Sequence, residues 1–278
     1  MLTVPFSDGT GGLRRYPDFA ARHVAARHVD VWCPPAYAAD PAARFPVIYM
    51  HDGQNLFDPG LAFQGVDWGV DEAVRRLERS EGWPGAIVVG VWNTPARRCE
   101  YCPQKPFASP AGQALLAHQA EWLGGRPFSD QYLKFLVDEL KPRIDADFRT
   151  RPGPADTFVM GSSMGGLISL YALAEYPHVF GGAGCLSTHW PVGETLLVDY
   201  FSAALPAPGR HRLYFDFGPT TLDADYEPYQ RRLDAALAAA GYRAGQDWLT
   251  RKFDGAEHSE RAWRERVEVP LAFLLRPR

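Results

Sequence analysis

Between residues 156 and 175 a β-prone apolar segment runs into a glycine–serine turn and straight on into a helical pattern. No other stretch constrains the fold of this chain as tightly. Asp156-Thr157-Phe158-Val159-Met160 reads as a strand, Gly161-Ser162-Ser163-Met164-Gly165 has the form Gly-x-Ser-x-Gly, and Leu167 to Glu175 reads as a helix. In such a turn the serine occupies a strained backbone conformation and its hydroxyl projects from the top of a sheet. Glycine is expected at 161 and 165 because a side chain would clash where the helix turns back against its strand. The backbone N–H of Met164 then falls at a helix N-terminus, where it can stabilise negative charge on an oxygen. Ser163 is the candidate nucleophile.

The rest of the chain repeats the strand–helix alternation. Strands are expected over 27–33, 45–50, 86–91, 182–187, 211–217 and 247–253, and helices over 66–79, 130–144, 229–240 and 260–275, with Ser129 capping the second. Alternation of this kind predicts an α/β fold with a mostly parallel central sheet flanked by helices on both faces. No repeat or linker interrupts it, so residues 1–278 are expected to form one domain. Residues 95–127, rich in Pro, Gly and Ala with a short helical possibility near 112–123, read as an insertion at the substrate edge.

Composition excludes several function classes. The net charge is −4 with both signs interspersed, so neither a nucleic acid nor a membrane surface is an expected partner. The N-terminus lacks an apolar leader core and no stretch approaches transmembrane length, which predicts a cytoplasmic protein, or a periplasmic or secreted one if a signal peptide has been removed. Four scattered cysteines (Cys33, Cys99, Cys102, Cys185) do not form a disulfide framework, and the Cys99–Cys102 spacing alone reads as ordinary loop thiols. Nothing in the sequence calls for a metal or an organic cofactor. Oligomeric state is not legible.

A serine hydroxyl needs a base to take its proton. His258 lies in the turn Asp254-Gly255-Ala256-Glu257-His258-Ser259, after the last strand and before the last helix, where an imidazole can reach back over the sheet. The base needs an acid to orient it, and four follow or end the strand 211–217: Asp216, Asp223, Asp225 and Glu227. Asp223 is preferred because it sits in the loop, whereas Asp225 and Glu227 suit a helix N-terminus. A second oxyanion donor is expected from the loop after strand 45–50, in His51-Asp52-Gly53-Gln54, with Gly53 allowing the turn and the Gln54 N–H facing the site. Around these groups Trp92, Arg97, Arg98, Glu100, Tyr101, His189 and Trp190 fall at the carboxyl edge of the sheet, where open α/β sheets bind ligands. Trp92 and Trp190 are expected to form an aromatic wall.

The run His51-Asp-Gly-Gln-Asn-Leu-Phe-Asp58, the segment Trp92-Asn-Thr94 with Arg97/Arg98-x-Glu-Tyr-x-Pro103, the Gly161–Gly166 turn and the late His258 together resemble the esterase branch of the α/β-hydrolase superfamily. That branch includes esterase D, the feruloyl and acetyl xylan esterases of carbohydrate esterase family 1, and siderophore esterases. The resemblance runs from about Val29 to Leu274. It implies an esterase with Ser163 as nucleophile, His258 as base, and the Gln54 and Met164 N–H groups as oxyanion donors. Some relatives carry an acid where this chain has Thr221, so Asp223 stays one choice among the four.

The function expected is therefore a serine carboxylic-ester hydrolase acting through an acyl-enzyme on a small-molecule or carbohydrate-linked acetyl or feruloyl ester. A siderophore esterase, a thioesterase similar to S-formylglutathione hydrolase and an acyltransferase to a sugar are the alternatives. A non-catalytic binding module on the same fold is disfavoured, because serine, histidine and acids are all present.

Overall fold

A computed structural model describes residues 1–7, 12–81, 83 and 85–277. Among the described residues nine strands form one sheet: β1 (Leu2–Pro5), β2 (Gly12–Phe19), β3 (Arg27–Trp32), β4 (Val47–His51), β5 (Ile87–Val91), β6 (Thr157–Ser162), β7 (Gly182–Leu186), β8 (Arg212–Phe217) and β9 (Trp248–Lys252). Their order across the sheet is β1-β2-β3-β5-β4-β6-β7-β8-β9. From β5 to β9 every pairing is parallel, while β1, β2 and β3 add to that edge as antiparallel strands.

The central strands are apolar without interruption because both faces of the sheet are covered. Val47 and Tyr49 of β4, Ile87 and Val89 of β5, and Val159 of β6 point into one core, with helical residues Leu133, Leu140, Leu167, Leu197 and Leu237. Their neighbours Ile48, Met50, Val88, Phe158 and Met160 point into the other, against Val70, Val74, Leu77, Leu271 and Leu274. Each such side chain removed from water stabilises the fold by about 1.5–3 kcal/mol, which is what holds two helical layers on one sheet.

Four expected elements differ in detail. The first helix starts at Val70 rather than 66, because Gln64, Gly65 and Gly69 take positive φ angles and keep the chain out of a helix until then. Ser129 does not cap its helix: it is the first helical residue, Phe128 occupies the cap position, and the Ser129 hydroxyl accepts the Gln104 N–H at 3.0 Å. That helix also widens to π geometry over Phe135–Leu140 before continuing as Lys141–Asp147. Pro142, with no N–H to give to a carbonyl in the preceding turn, accounts for the break in the regular ladder. The C-terminal helix is two, Glu260–Arg266 and Glu268–Leu275. Segment 95–127 is far more ordered than expected, with helices at Arg97–Tyr101 and Pro110–Leu123. Ser109 caps the latter by accepting the Gly112 N–H, and Gly124 closes it in the left-handed region. Helix Glu194–Ala204 and strands β1 and β2 were not anticipated.

Candidate active site

The site lies at the carboxyl ends of β4, β6 and β8. At the end of β6, Ser163 has φ 57° and ψ −121° and opens the helix Met164–Glu175. A residue with a side chain held there costs about 1–3 kcal/mol, and neighbouring contacts must impose it. They do so through the Ser163 N–H, which donates to the Leu186 carbonyl (2.9 Å), and the Ser163 carbonyl, which accepts from the Leu167 (3.1 Å) and His189 (3.2 Å) N–H groups. A Cβ on residue 161 would sit 2.8 Å from the carbonyl carbon of Gly165, so glycine is required at 161. The clash expected at 165 is not found, since a Cβ there would make only ordinary contacts at 3.4 Å.

At the end of β8 the chain makes a 3-10 turn over Thr221–Asp225, and Asp223 is fully buried in it. Its Oδ1 lies 2.6 Å from His258 Nδ1. Its Oδ2 accepts the Gly218 N–H and the Ser187 hydroxyl, each at 2.7 Å. Thr221 is not a substitute acid, because its hydroxyl accepts the His258 backbone N–H at 2.8 Å and ties the two loops together. The Thr220 hydroxyl adds a bond to the Ala256 carbonyl at 2.8 Å. The other three acids are engaged elsewhere or turned outward. Asp216 pairs with Arg266 (2.9 Å) and accepts from Tyr214 (3.0 Å), and burial, outweighing Arg266, raises its pKa. Glu227 pairs with Lys252 and Arg231, and Asp225 is exposed. Around the His258 imidazole, Trp263 packs edge-on at 4.9 Å and Tyr226 at 5.9 Å between ring centres.

After β4 comes the turn that carries Gln54. The left-handed residue is Asp52 (φ 58°) rather than Gly53. Gly53 is needed for a different reason: a Cβ there would lie 2.4 Å from the Gly90 carbonyl carbon of β5. Arg97 grips the Asp52 carboxylate with two bonds (Nε–Oδ1 2.6 Å, Nη2–Oδ2 2.7 Å) and Asn93 Nδ2 donates a third at 2.6 Å. Burial alone would raise the Asp52 pKa, but Arg97 overrides it and holds the carboxyl below its usual range. The Asn93 N–H donates to the Gln54 side-chain oxygen at 3.3 Å, fastening the turn to the end of β5. Met164 is the first residue of its helix, so its N–H has no carbonyl four residues back within that helix.

Ser163, His258, Gln54, Arg97 and Arg98 line one cleft of about 700 Å³. Its aromatic walls are Phe63, Trp122 and Trp263, not the expected Trp92 and Trp190. Trp92 instead lies under the Arg15 guanidinium, 4.7 Å from the ring centre, and donates to Asp30 at 2.7 Å. Trp190 is buried against Phe201. Glu100 and Tyr101 also lie outside the cleft lining: both are fully buried, and Glu100 forms a two-bond ion pair with Arg27 (2.5 and 2.9 Å) beneath the segment. His189 serves packing, with Nδ1 2.6 Å from the Tyr226 hydroxyl and its ring stacked on Trp122 at 5.2 Å. Burial, helped by the His258 and Arg97 charges, lowers its pKa to about 4. Trp122 comes from the end of helix Pro110–Leu123, which the sequence offered only as a short helical possibility over 112–123 with no sign that it reaches the site. Phe63 sits on a turn pinned by its N–H donating to Asn55 Oδ1 at 2.9 Å.

Among the described residues no helix is long and apolar enough to cross a membrane. The fold is shared with several solved structures. A ferulic acid esterase superposes with a TM-score of 0.67 at 18% identity, over 95% of this chain and 97% of that one. The IroE-like serine hydrolase from Shewanella oneidensis gives 0.69 at 18% identity, over 94% and 80%. The enterobactin esterase FES from Shigella flexneri gives 0.67 at 19% identity, over 94% of this chain but only 59% of its own. By sequence, the uncharacterized protein YbbA of Bacillus subtilis (strain 168) is 25% identical over 195 residues, 69% of this chain and 68% of that protein. Residues 23–272 match the family described as "Putative esterase". With that match over most of its length, the chain belongs to this esterase family and has the α/β-hydrolase fold.

Proposed function

We propose that the protein hydrolyses carboxylic esters through a covalent acyl-enzyme on Ser163. The observation that carries this reading is the placement of a strained elbow serine in one cleft with a histidine whose Nδ1 is held by a buried carboxylate. Because Asp223 accepts at Nδ1, the imidazole presents Nε2 to the cleft as the free basic nitrogen. His258 takes the Ser163 proton as Oγ forms a bond to the acyl carbon, and the carbonyl electron pair moves onto oxygen. The Gln54 and Met164 N–H groups hold that oxyanion in a pre-formed site. Its collapse breaks the ester C–O bond, and the leaving alcohol takes the proton back from His258. A water molecule then gives a proton to His258 as its oxygen bonds to the acyl carbon; the acyl–Oγ bond breaks, Oγ takes that proton from His258, and the acid leaves with Ser163 restored.

The substrate class follows from the walls. Phe63 and Trp122 give the cleft aromatic surface and Arg97, Arg98 and Glu121 supply polar groups, which suits an aryl acyl group or a sugar ring rather than a long alkyl chain. The neighbour named as a ferulic acid esterase supports an aromatic acyl ester, carried on a carbohydrate or another small molecule. Hydrolysis of p-nitrophenyl acetate alongside methyl ferulate, acetylated xylan and a catechoyl-serine ester tests this. The reading expects Ser163→Ala to abolish every activity, with an aryl-acyl ester giving the highest kcat/KM. Full activity of Ser163→Ala would remove the mechanism.

A further inference from the structure

Behind the Asp223 carboxylate lies a buried polar layer with no part in the steps above. Ser187, the first residue after β7, is fully buried with φ 43°. Its N–H is fixed by the Asp216 carbonyl (2.8 Å) and Asp216 Oδ1 (3.3 Å). Its hydroxyl touches three groups: Asp223 Oδ2 at 2.7 Å, Arg266 Nη2 at 2.9 Å and Trp263 Nε1 at 3.0 Å. A hydroxyl has one proton and two lone pairs, while guanidinium and indole nitrogens only donate. The two lone pairs are therefore filled by Arg266 and Trp263, and the single proton must go to Asp223. Arg266 is in turn neutralised by Asp216 at 2.9 Å, so this layer delivers direction more than net charge.

We propose that Ser187 is a positioning residue for the acid: its hydroxyl, aimed by Arg266 and Trp263, locks the Asp223 carboxylate so that Oδ1 faces His258. This rests on reading Asp223 and His258 as the acid–base pair. The backbone supports it, because a positive φ strains any residue with a Cβ and glycine would sit here without that cost. Trp263 couples the lock to the base directly, packing against the His258 ring with the same indole whose N–H reaches Ser187.

Two substitutions separate positioning from plain stability. Ser187→Ala removes the hydroxyl and keeps the strain; Ser187→Gly removes both. The expected result is that both lower kcat on p-nitrophenyl acetate roughly 10- to 100-fold, as for loss of a hydrogen bond to a charged group, with KM little changed. Both also slow labelling of Ser163 by a fluorophosphonate, while the urea midpoint of the glycine variant stays above that of the alanine variant. Either of two outcomes overturns the proposal: kcat within twofold of the parent in both variants, or activity that recovers with stability in the glycine variant. Ser163→Ala run in parallel keeps the two levels apart, since activity surviving there would sink the underlying mechanism instead.

Discussion

His258 Nδ1 and Asp223 Oδ1 lie 2.6 Å apart, with the carboxylate wholly buried and its other oxygen already accepting two hydrogen bonds. An acid held in this way fixes which imidazole nitrogen carries the proton, and that selects it from its three neighbours. Asp223→Asn is expected to lower kcat by about 10³- to 10⁴-fold, the loss that follows when the base is left in the wrong tautomer. Asp225→Asn should leave kcat near the parent value. Asp216→Asn should act mainly on stability, because it strips the buried Arg266 of its partner. Steady-state kinetics and urea unfolding of the three variants check this.

Arg97 is the clamp on the turn that carries Gln54. Replacing it by Gln leaves the buried Asp52 carboxylate without its two-bond partner and frees the turn that carries Gln54. The expected outcome is a fall in kcat of about 10²-fold, close to removal of one oxyanion donor, with the fold retained by circular dichroism. A variant with unchanged kcat would show that the turn holds its shape without the clamp.

Trp122 supplies a cleft wall and is braced by His189 and by the Arg98 guanidinium, 4.7 Å from its ring centre. Trp122→Ala should raise KM for an aryl-acyl ester by about 10-fold, as loss of one aromatic wall of the cleft implies, and change p-nitrophenyl acetate turnover much less. Equal effects on both substrates would place the aryl group elsewhere.

His51 is buried beside the turn that carries Gln54, with Nδ1 2.8 Å from the Tyr132 hydroxyl, and burial lowers its pKa to about 3. In the unfolded chain it titrates near 6.5, so between about pH 6.5 and 3 the unfolded state binds a proton that the folded state excludes. Its contribution is therefore complete above that window and is lost as pH falls, by at most about 1.4 kcal/mol per pH unit. The stability difference between the parent and His51→Gln, from urea unfolding at pH 7, 6 and 5, should shift in favour of the variant as the pH drops. A difference independent of pH would contradict the burial of a neutral His51.

The strand–turn–helix at Ser163 and the order of strands and helices were legible because they depend on local periodicity and on a glycine at 161 that nothing else can replace. Chain order offered His258 as a late histidine and four acids around the end of β8, and only the folded turn brings one of the four, Asp223, within hydrogen-bond distance of His258. The cleft wall was not. Trp92 and Trp190 are on the right loops, but direction from the sheet edge is set by packing: Trp92 turns to Arg15 and Asp30, and Trp190 turns into the core against Phe201. Glu100 read as a group at the substrate edge because its partner Arg27 lies 73 residues away on β3. Ser187 carried no local signal, since its role exists only where β7, β8 and the helix Glu260–Arg266 converge.

In the proposed mechanism Ser163 is the group that attacks the ester. Intact-mass spectrometry after brief exposure to a fluorophosphonate, followed by peptide mapping, tests it most directly. One adduct is expected, on Ser163, absent in Ser163→Ala and formed much more slowly in His258→Ala and Asp223→Asn. An adduct on another residue, or labelling of Ser163 at the parent rate without His258, would contradict it.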